Sequence, residues 1–199
     1  MINLKKYEDL YDNFDGGHDK RHLKMVRKIA VKLAKKYFPD KIDLVYAAAT
    51  LHDIGLSIDR ENHEVEGAEL IKKDKHLKEY FGDEFELIVN AVREHRASTG
   101  NPKTILAKII SDADRGSNSS KESFRRAFEY GLKNYPDLNS LEQIKRAAKH
   151  QAEKFAKGSY GRRVYFEETD KRLCRVYDPI INAYQKENWG YFEKLLKKI

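Results

Sequence analysis

Four histidines and one His-Asp pair fall at positions where helices would turn them inward. His22 stands four residues before Val26, seven before Ile29 and eight before Ala30, so it shares the apolar face of its helix. His52 and Asp53 directly follow the apolar run Leu44 to Leu51. His63 opens a segment carrying Gly67, Ala68 and Leu70, and His95 lies seven residues after Ile88, on the face of Ala91 and Val92. Burying several imidazoles without partners costs a few kcal/mol each, because polar groups in an apolar interior need hydrogen bonds. One metal centre would satisfy them together. Imidazole and carboxylate donors without thiolates suit Mn, Fe, Co, Ni or Zn, or Mg with waters. A closing carboxylate comes from Asp112 or Asp114. These flank the apolar positions Leu106, Ile109, Ile110 and Ala113 at nearly equal offset, so periodicity leaves both open. His18, His76 and His150 read as ordinary hydrogen-bonded or surface histidines.

The elements that must position these groups are helical. Val26, Ile29, Ala30, Leu33 and Tyr37 mark one helix face, which Pro39 ends. The next helix is apolar nearly all round, and Gly55 sits where a left-handed residue would stop it. Further helices are expected over 64–73, 83–96, 103–114, 121–133, 139–157 and 170–189, with Pro179 kinking or dividing the last. Only residues 163–166 alternate as a strand would. Gly116 to Ser120 reads as a flexible loop between a front and a back helical layer. The expected fold is all-α, a single domain over 1–199 with an added C-terminal helical layer at about 121–199.

The ordered pattern His22, His52-Asp53, Asp114 resembles the HD-domain superfamily of metal-dependent phosphohydrolases, over about residues 18–118. The run Ala48-Ala49-Thr50-Leu51-His52-Asp53-Ile54-Gly55 is similar to that family's doublet in full, and His22-Leu-Lys-Met-Val26 to its first histidine. Ser111-Asp112-Ala113-Asp114-Arg115 resembles the family's closing motif, which implies Asp114 as the ligand. His63, four residues before Gly67-Ala68, and His95 resemble the two-metal version of the pattern. Gly17-His18-Asp19 is similar to small bacterial and archaeal members. Those continue the closing motif as Asp-Ala-Asp-Arg-Leu-Asp, where this chain has Gly116-Ser117 after Arg115. The resemblance implies a helical core of about five helices and a centre that hydrolyses phosphate esters.

On that resemblance, His22, His52, Asp53 and Asp114 hold one divalent ion, and His63 and His95 serve a second. Asp53, with two oxygens to share, is the catalytic bridge. Arg96 and Arg115 each follow a ligand by one residue and could neutralise a phosphoryl group. The expected activity is hydrolysis of a phosphate ester or anhydride of a nucleotide or other small phosphorylated metabolite. Two other classes remain open: a di-iron oxygenase of the same superfamily, and a nucleic-acid or effector-binding protein with a structural metal. A small phosphorylated substrate ranks ahead of nucleic acid as partner, and a homo-oligomer is open.

Composition sets the outer bounds. The chain of 199 residues is 40% hydrophobic with 9 Phe and 12 Tyr, enough to fill a core. The single cysteine, Cys174, excludes a disulfide framework and a thiolate zinc site. Leu44 to Leu51 falls far short of the ~20 apolar residues that span a bilayer, and Met1 to Leu10 has no apolar leader. The expectation is a cytoplasmic protein with no membrane partner. Residues 1–120 balance 21 basic against 21 acidic side chains. Residues 121–199 hold 18 basic and 11 acidic and supply the whole net charge of +7. A basic back half could attract polyanions, but its cations are dispersed among acids, which reads first as solvated helix faces.

Overall fold

A computed structural model describes residues 2–15 and 17–197. Among them are eleven α-helices joined by short turns and 3-10 segments, with no strand. The fold is all-α. No helix among the described residues is long and apolar enough to cross a membrane. The chain forms two compact units: Met1–Ser117 with Val164–Phe166, and Asn118–Arg163 with Glu167–Ile199.

The first unit holds α1 (Lys5–Glu8), α2 (Lys20–Tyr37), α3 (Ile42–Leu51), α4 (His63–Lys72), α5 (Lys75–Phe81), α6 (Phe85–Glu94) and α7 (Ile105–Arg115). Helix α3 packs against α2, α6 and α7, so all of its residues from Ala47 to Leu51 are buried. That is why its sequence shows no polar face. Around it, Val26, Ala30, Ile88, Val89, Ile109 and Ile110 are wholly buried, each large one contributing ~1.5–3 kcal/mol. Helix α2 starts sharply because Asp19 caps it, accepting from the amides of Arg21 at 2.9 Å and His22 at 3.1 Å. Pro39 follows its end.

Two local expectations fail for physical reasons. Gly55 does not adopt a left-handed conformation; the glycines with positive φ among the described residues are Gly82 and Gly158. Its function is close approach. A Cβ there would lie 2.0 Å from the His63 carbonyl oxygen and 2.5 Å from the Gly67 nitrogen, so the turn after Asp53 rests directly on the α4 backbone. Residues 163–166 form no strand: the amides of Tyr165 and Phe166 are taken by the buried Asp112 carboxylate at 3.0–3.1 Å.

The second unit holds α8 (Ser120–Asn134), α9 (Ser140–Lys154), α10 (Glu167–Gln185) and α11 (Trp189–Lys197). Capping boxes open two of them, Ser119 with Glu122 at α8 and Asn139 with Glu142 at α9. Pro179 lies inside α10 without dividing it. Tyr177 stacks on Phe155 and Phe124 packs on Phe192 in its interior.

Candidate metal centre

Five helix ends meet at one point in the first unit. His22 comes from the first turn of α2 and His52-Asp53 from the end of α3. His63 is the first residue of α4, His95 follows the last residue of α6, and Asp114 lies in the last turn of α7. Their reactive atoms form two sets of three, each within 4.8 Å of one another: His22, His52 and Asp114, and Asp53, His63 and His95.

Asp53 joins the sets. Its Oδ2 lies 3.0 Å from His52 Nε2 and 3.3 Å from His22 Nε2. Its Oδ1 lies 3.5 Å from His95 Nε2 and 3.6 Å from His63 Nε2. Asp114 Oδ1 is 3.4 Å from His22 Nε2. One carboxylate thus divides its two oxygens between two pairs of imidazoles.

The outward nitrogens fix the tautomers. His52, His63 and His95 each direct Nδ1 at the backbone carbonyl three residues earlier, those of Ala49 (2.9 Å), Arg60 (3.1 Å) and Val92 (2.6 Å). A carbonyl only accepts, so each Nδ1 carries a proton, and in the neutral ring each Nε2 is then a bare lone pair. His22 Nδ1 meets Ser117 Oγ at 3.2 Å, and that hydroxyl gives its only proton to the Asp114 carbonyl at 2.7 Å. His22 must therefore donate from Nδ1 as well. In their neutral forms all four histidines turn unprotonated Nε2 atoms inward, and those of His22 and His52 face each other at 3.2 Å. Asp53 Oδ2 is buried without a hydrogen-bond partner. Converging lone pairs around an orphaned carboxylate oxygen are the arrangement a cation resolves, so the residues present fit a divalent metal.

The electrostatics agree. Burial pushes the Asp53 carboxyl up, but positive charge on the imidazoles, of His52 above all, then His22 and His95, more than offsets it and holds it well below the usual carboxylate range; a metal ion would supply that charge in place of the protons. Asp114 is also lowered, with burial opposing and His22 the main favourable neighbour. Burial, then His95, pushes the His63 imidazole down, which keeps it neutral and free to bind a metal at neutral pH.

The sequence profile of the HD domain matches residues 20–119, half of the chain and the whole of the region that supplies these six side chains. The chain belongs to the HD domain family. Two curated relatives, both named Ribonuclease Y and both from Streptococcus agalactiae (serotypes III and Ia), are 30% identical over 124 residues. That region is 61% of this chain but 21% of each relative, so the chain spans about a fifth of their length. No solved structure gives a significant match.

The HD-domain chain separates the two candidate aspartates of α7. Asp114 faces the histidines, while Asp112 holds the amides of Tyr165 and Phe166 and pairs with Arg115 at 3.7 Å. Arg115 is buried and also donates to Ser111 Oγ at 2.8 Å, tying α7 to itself. Arg96 is half-buried beside the cluster, donating to Glu64 at 3.2 Å and to the Glu61 carbonyl; Thr99 completes Glu64 at 3.1 Å.

Two contributors escaped the sequence reading. Tyr11 is fully buried, donates to the Thr50 carbonyl at 3.0 Å and accepts the Asp53 amide at 3.4 Å, so it pins the turn that carries His52 and Asp53. Burial, reinforced by the Asp53 charge, raises its phenol well above its ordinary value, and it stays a neutral donor. Ser117 sets the tautomer of His22. Neither had a signal in periodicity, because both act through single hydroxyls on residues outside their own helix.

Proposed function

We propose that this HD domain hydrolyses a phosphate ester or anhydride through water activated at a centre of two divalent ions. The observation that carries the reading is the Asp53 carboxylate, with Oδ2 toward His22 and His52 and Oδ1 toward His63 and His95. His22, His52 and Asp114 would hold one ion, His63 and His95 the other, and Asp53 both. When bound, such ions lower the pKa of water from about 15.7 toward ~7 and act as Lewis acids on a phosphoryl oxygen.

The chain's own residues supply the rest. The carbonyls of Ala49, Arg60 and Val92 and the Ser117 hydroxyl orient the imidazoles, so little reorganisation is needed on binding. Asp114 is the most exposed of the six, its side chain 27% accessible against 12% or less for the others. The open side of the centre therefore lies at Asp114. Arg96, one residue after His95 and 33% accessible, is the cation this reading assigns to a phosphoryl oxygen, in exchange for its pairing with Glu64. Arg115 is committed to Ser111 and Asp112 and acts through α7.

A nucleotide or other small phosphorylated metabolite is the first substrate class. The relatives named Ribonuclease Y favour an RNA phosphodiester as the second. The test is phosphate or product release over nucleotides, sugar phosphates and a short RNA, run separately with Mg, Mn, Co, Ni, Zn and Fe(II), alongside metal content. Turnover lost in Asp53→Ala, and two ions falling to one in His63→Ala/His95→Ala, support the reading. Dioxygen consumption by an iron-loaded protein without phosphate release would overturn it in favour of an oxygenase.

A further inference from the structure

Helix α2 is the only α-helix among those described that contains no acidic residue, and it carries eight lysines and arginines between 20 and 37. Several cations elsewhere are neutralised by neighbours: Lys5 by Asp9, Lys41 by Glu84, Lys72 by Glu69 and Lys171 by Glu167. Four lysines of α2 differ. Lys24, Lys28, Lys32 and Lys35 are exposed, and none has an acidic partner among the described residues. They line a groove of about 560 Å³ together with Arg27 and Tyr46.

Arg27 is held at the floor of the groove. Arg27 donates to Thr50 Oγ1 at 2.9 Å and to Glu8 at 2.5 Å, and its guanidinium lies over the Tyr46 ring at 4.5 Å. The lysines at i, i+4, i+8 and i+11 run along one face for ~16 Å at 1.5 Å per residue. Four ammonium groups spread over that length cannot converge on one small anion. They match a row of charges, and a nucleic-acid strand offers one phosphate per ~3.4 Å along a duplex. At ~100° per residue the stripe is centred about 125° around α2 from His22, off the buried face that carries the histidine.

We propose that this α2 groove binds the phosphodiester backbone of a nucleic-acid strand, as a surface separate from the candidate metal centre. The inference does not rest on the hydrolytic reading, since the groove needs no metal. The test is binding of fluorescent twelve-nucleotide oligo(U) and oligo(dT) to the full chain in EDTA, by anisotropy across a salt series. Both should bind, with a slope of log K on log salt of about −3, from four lysines at ~0.7 each. In Lys28→Ala/Lys32→Ala/Lys35→Ala the slope should fall to about −1 and affinity by more than about tenfold at low salt. Helix content and metal-dependent hydrolysis of bis-p-nitrophenyl phosphate should be unchanged in that variant. A triple variant that binds oligonucleotides as the wild type does overturns the proposal, as does binding to phosphatidylserine vesicles but not to oligonucleotides. Loss of hydrolysis in the wild type with binding intact would count against the hydrolase alone.

Discussion

Ser117 and His22 stand 95 positions apart and share a 3.2 Å hydrogen bond whose direction is set by a third atom. The Asp114 carbonyl takes the hydroxyl proton of Ser117, so the serine oxygen has only an accepting role toward His22. The same short segment therefore supplies a carboxylate to the cluster and fixes the tautomer of an imidazole beside it.

Replacing Ser117 by Ala removes that acceptor while leaving every proposed ligand in place. The His22 ring is then free to carry its proton on Nε2, the nitrogen that faces Asp53. Metal affinity should fall ~10–100-fold, the usual effect of losing an outer partner of a ligand. Isothermal titration with Mn or Zn measures it, and circular dichroism should show unchanged helix content. Wild-type affinity in this variant would mean the hydroxyl does not govern the tautomer.

Asp112 and Asp114 are two residues apart and should fail in opposite ways. Asp112→Asn removes the negative charge that the amides of Tyr165 and Phe166 and the buried Arg115 guanidinium face. Breaking a buried pair of this kind costs about 3 kcal/mol, readable as a lowered urea midpoint, with metal affinity nearly unchanged. Asp114→Asn should instead cost metal affinity and little stability. Were the two phenotypes exchanged, the ligand on α7 would be Asp112.

The difference between these aspartates marks where the sequence stops being informative. Helical periodicity puts His22 on the face of Val26 and His95 on that of Ile88, because facing is a local property of one helix. It does not separate Asp112 from Asp114, since the groups that claim Asp112 are backbone amides 53 and 54 positions away in an irregular segment. Gly55 was misread for a related reason: a glycine after a helix suggests a left-handed stop, whereas its reason lies in the α4 backbone pressed against it. The acid-free character of α2 was on view throughout. Summing charge over 120 residues hid it, because the balancing acids sit on other elements.

Asp74 gives a prediction that depends on pH. It caps α5, accepting from the Leu77 amide at 3.0 Å, and also accepts from Lys6 and the Tyr7 hydroxyl. Burial pushes its carboxyl up, yet those donors hold it well below the usual carboxylate range. A folded pKa below the unfolded one, about 3.9, means that the unfolded state binds more protons in acid. The stabilisation is therefore complete above about pH 5 and is lost as pH falls through the range below about 4. Asp74→Asn should lower stability at pH 7 by about 1–2 kcal/mol. Its urea midpoint should approach the wild-type value progressively as pH falls below about 4, with part of the deficit still present at about pH 2. A deficit that stays constant with pH would assign the loss to packing alone.

Gly55 links the fold to the second half of the candidate centre. The turn that follows Asp53 touches α4 at the His63 carbonyl and the Gly67 amide, and a methyl group there has no space on either side. Gly55→Ala must push the start of α4 outward, at a cost of about 1–3 kcal/mol for overpacking. Because His63 is the first residue of α4, its Nε2 should move away from Asp53 Oδ1 while His22 and His52 keep their places. The second ion should then be lost before the first. A double-mutant cycle separates this from general damage. In a His63→Ala background, Gly55→Ala should add its full stability loss but no further loss of metal. If it still removes metal there, the damage reaches Asp53 itself, and the turn serves the whole cluster rather than one histidine.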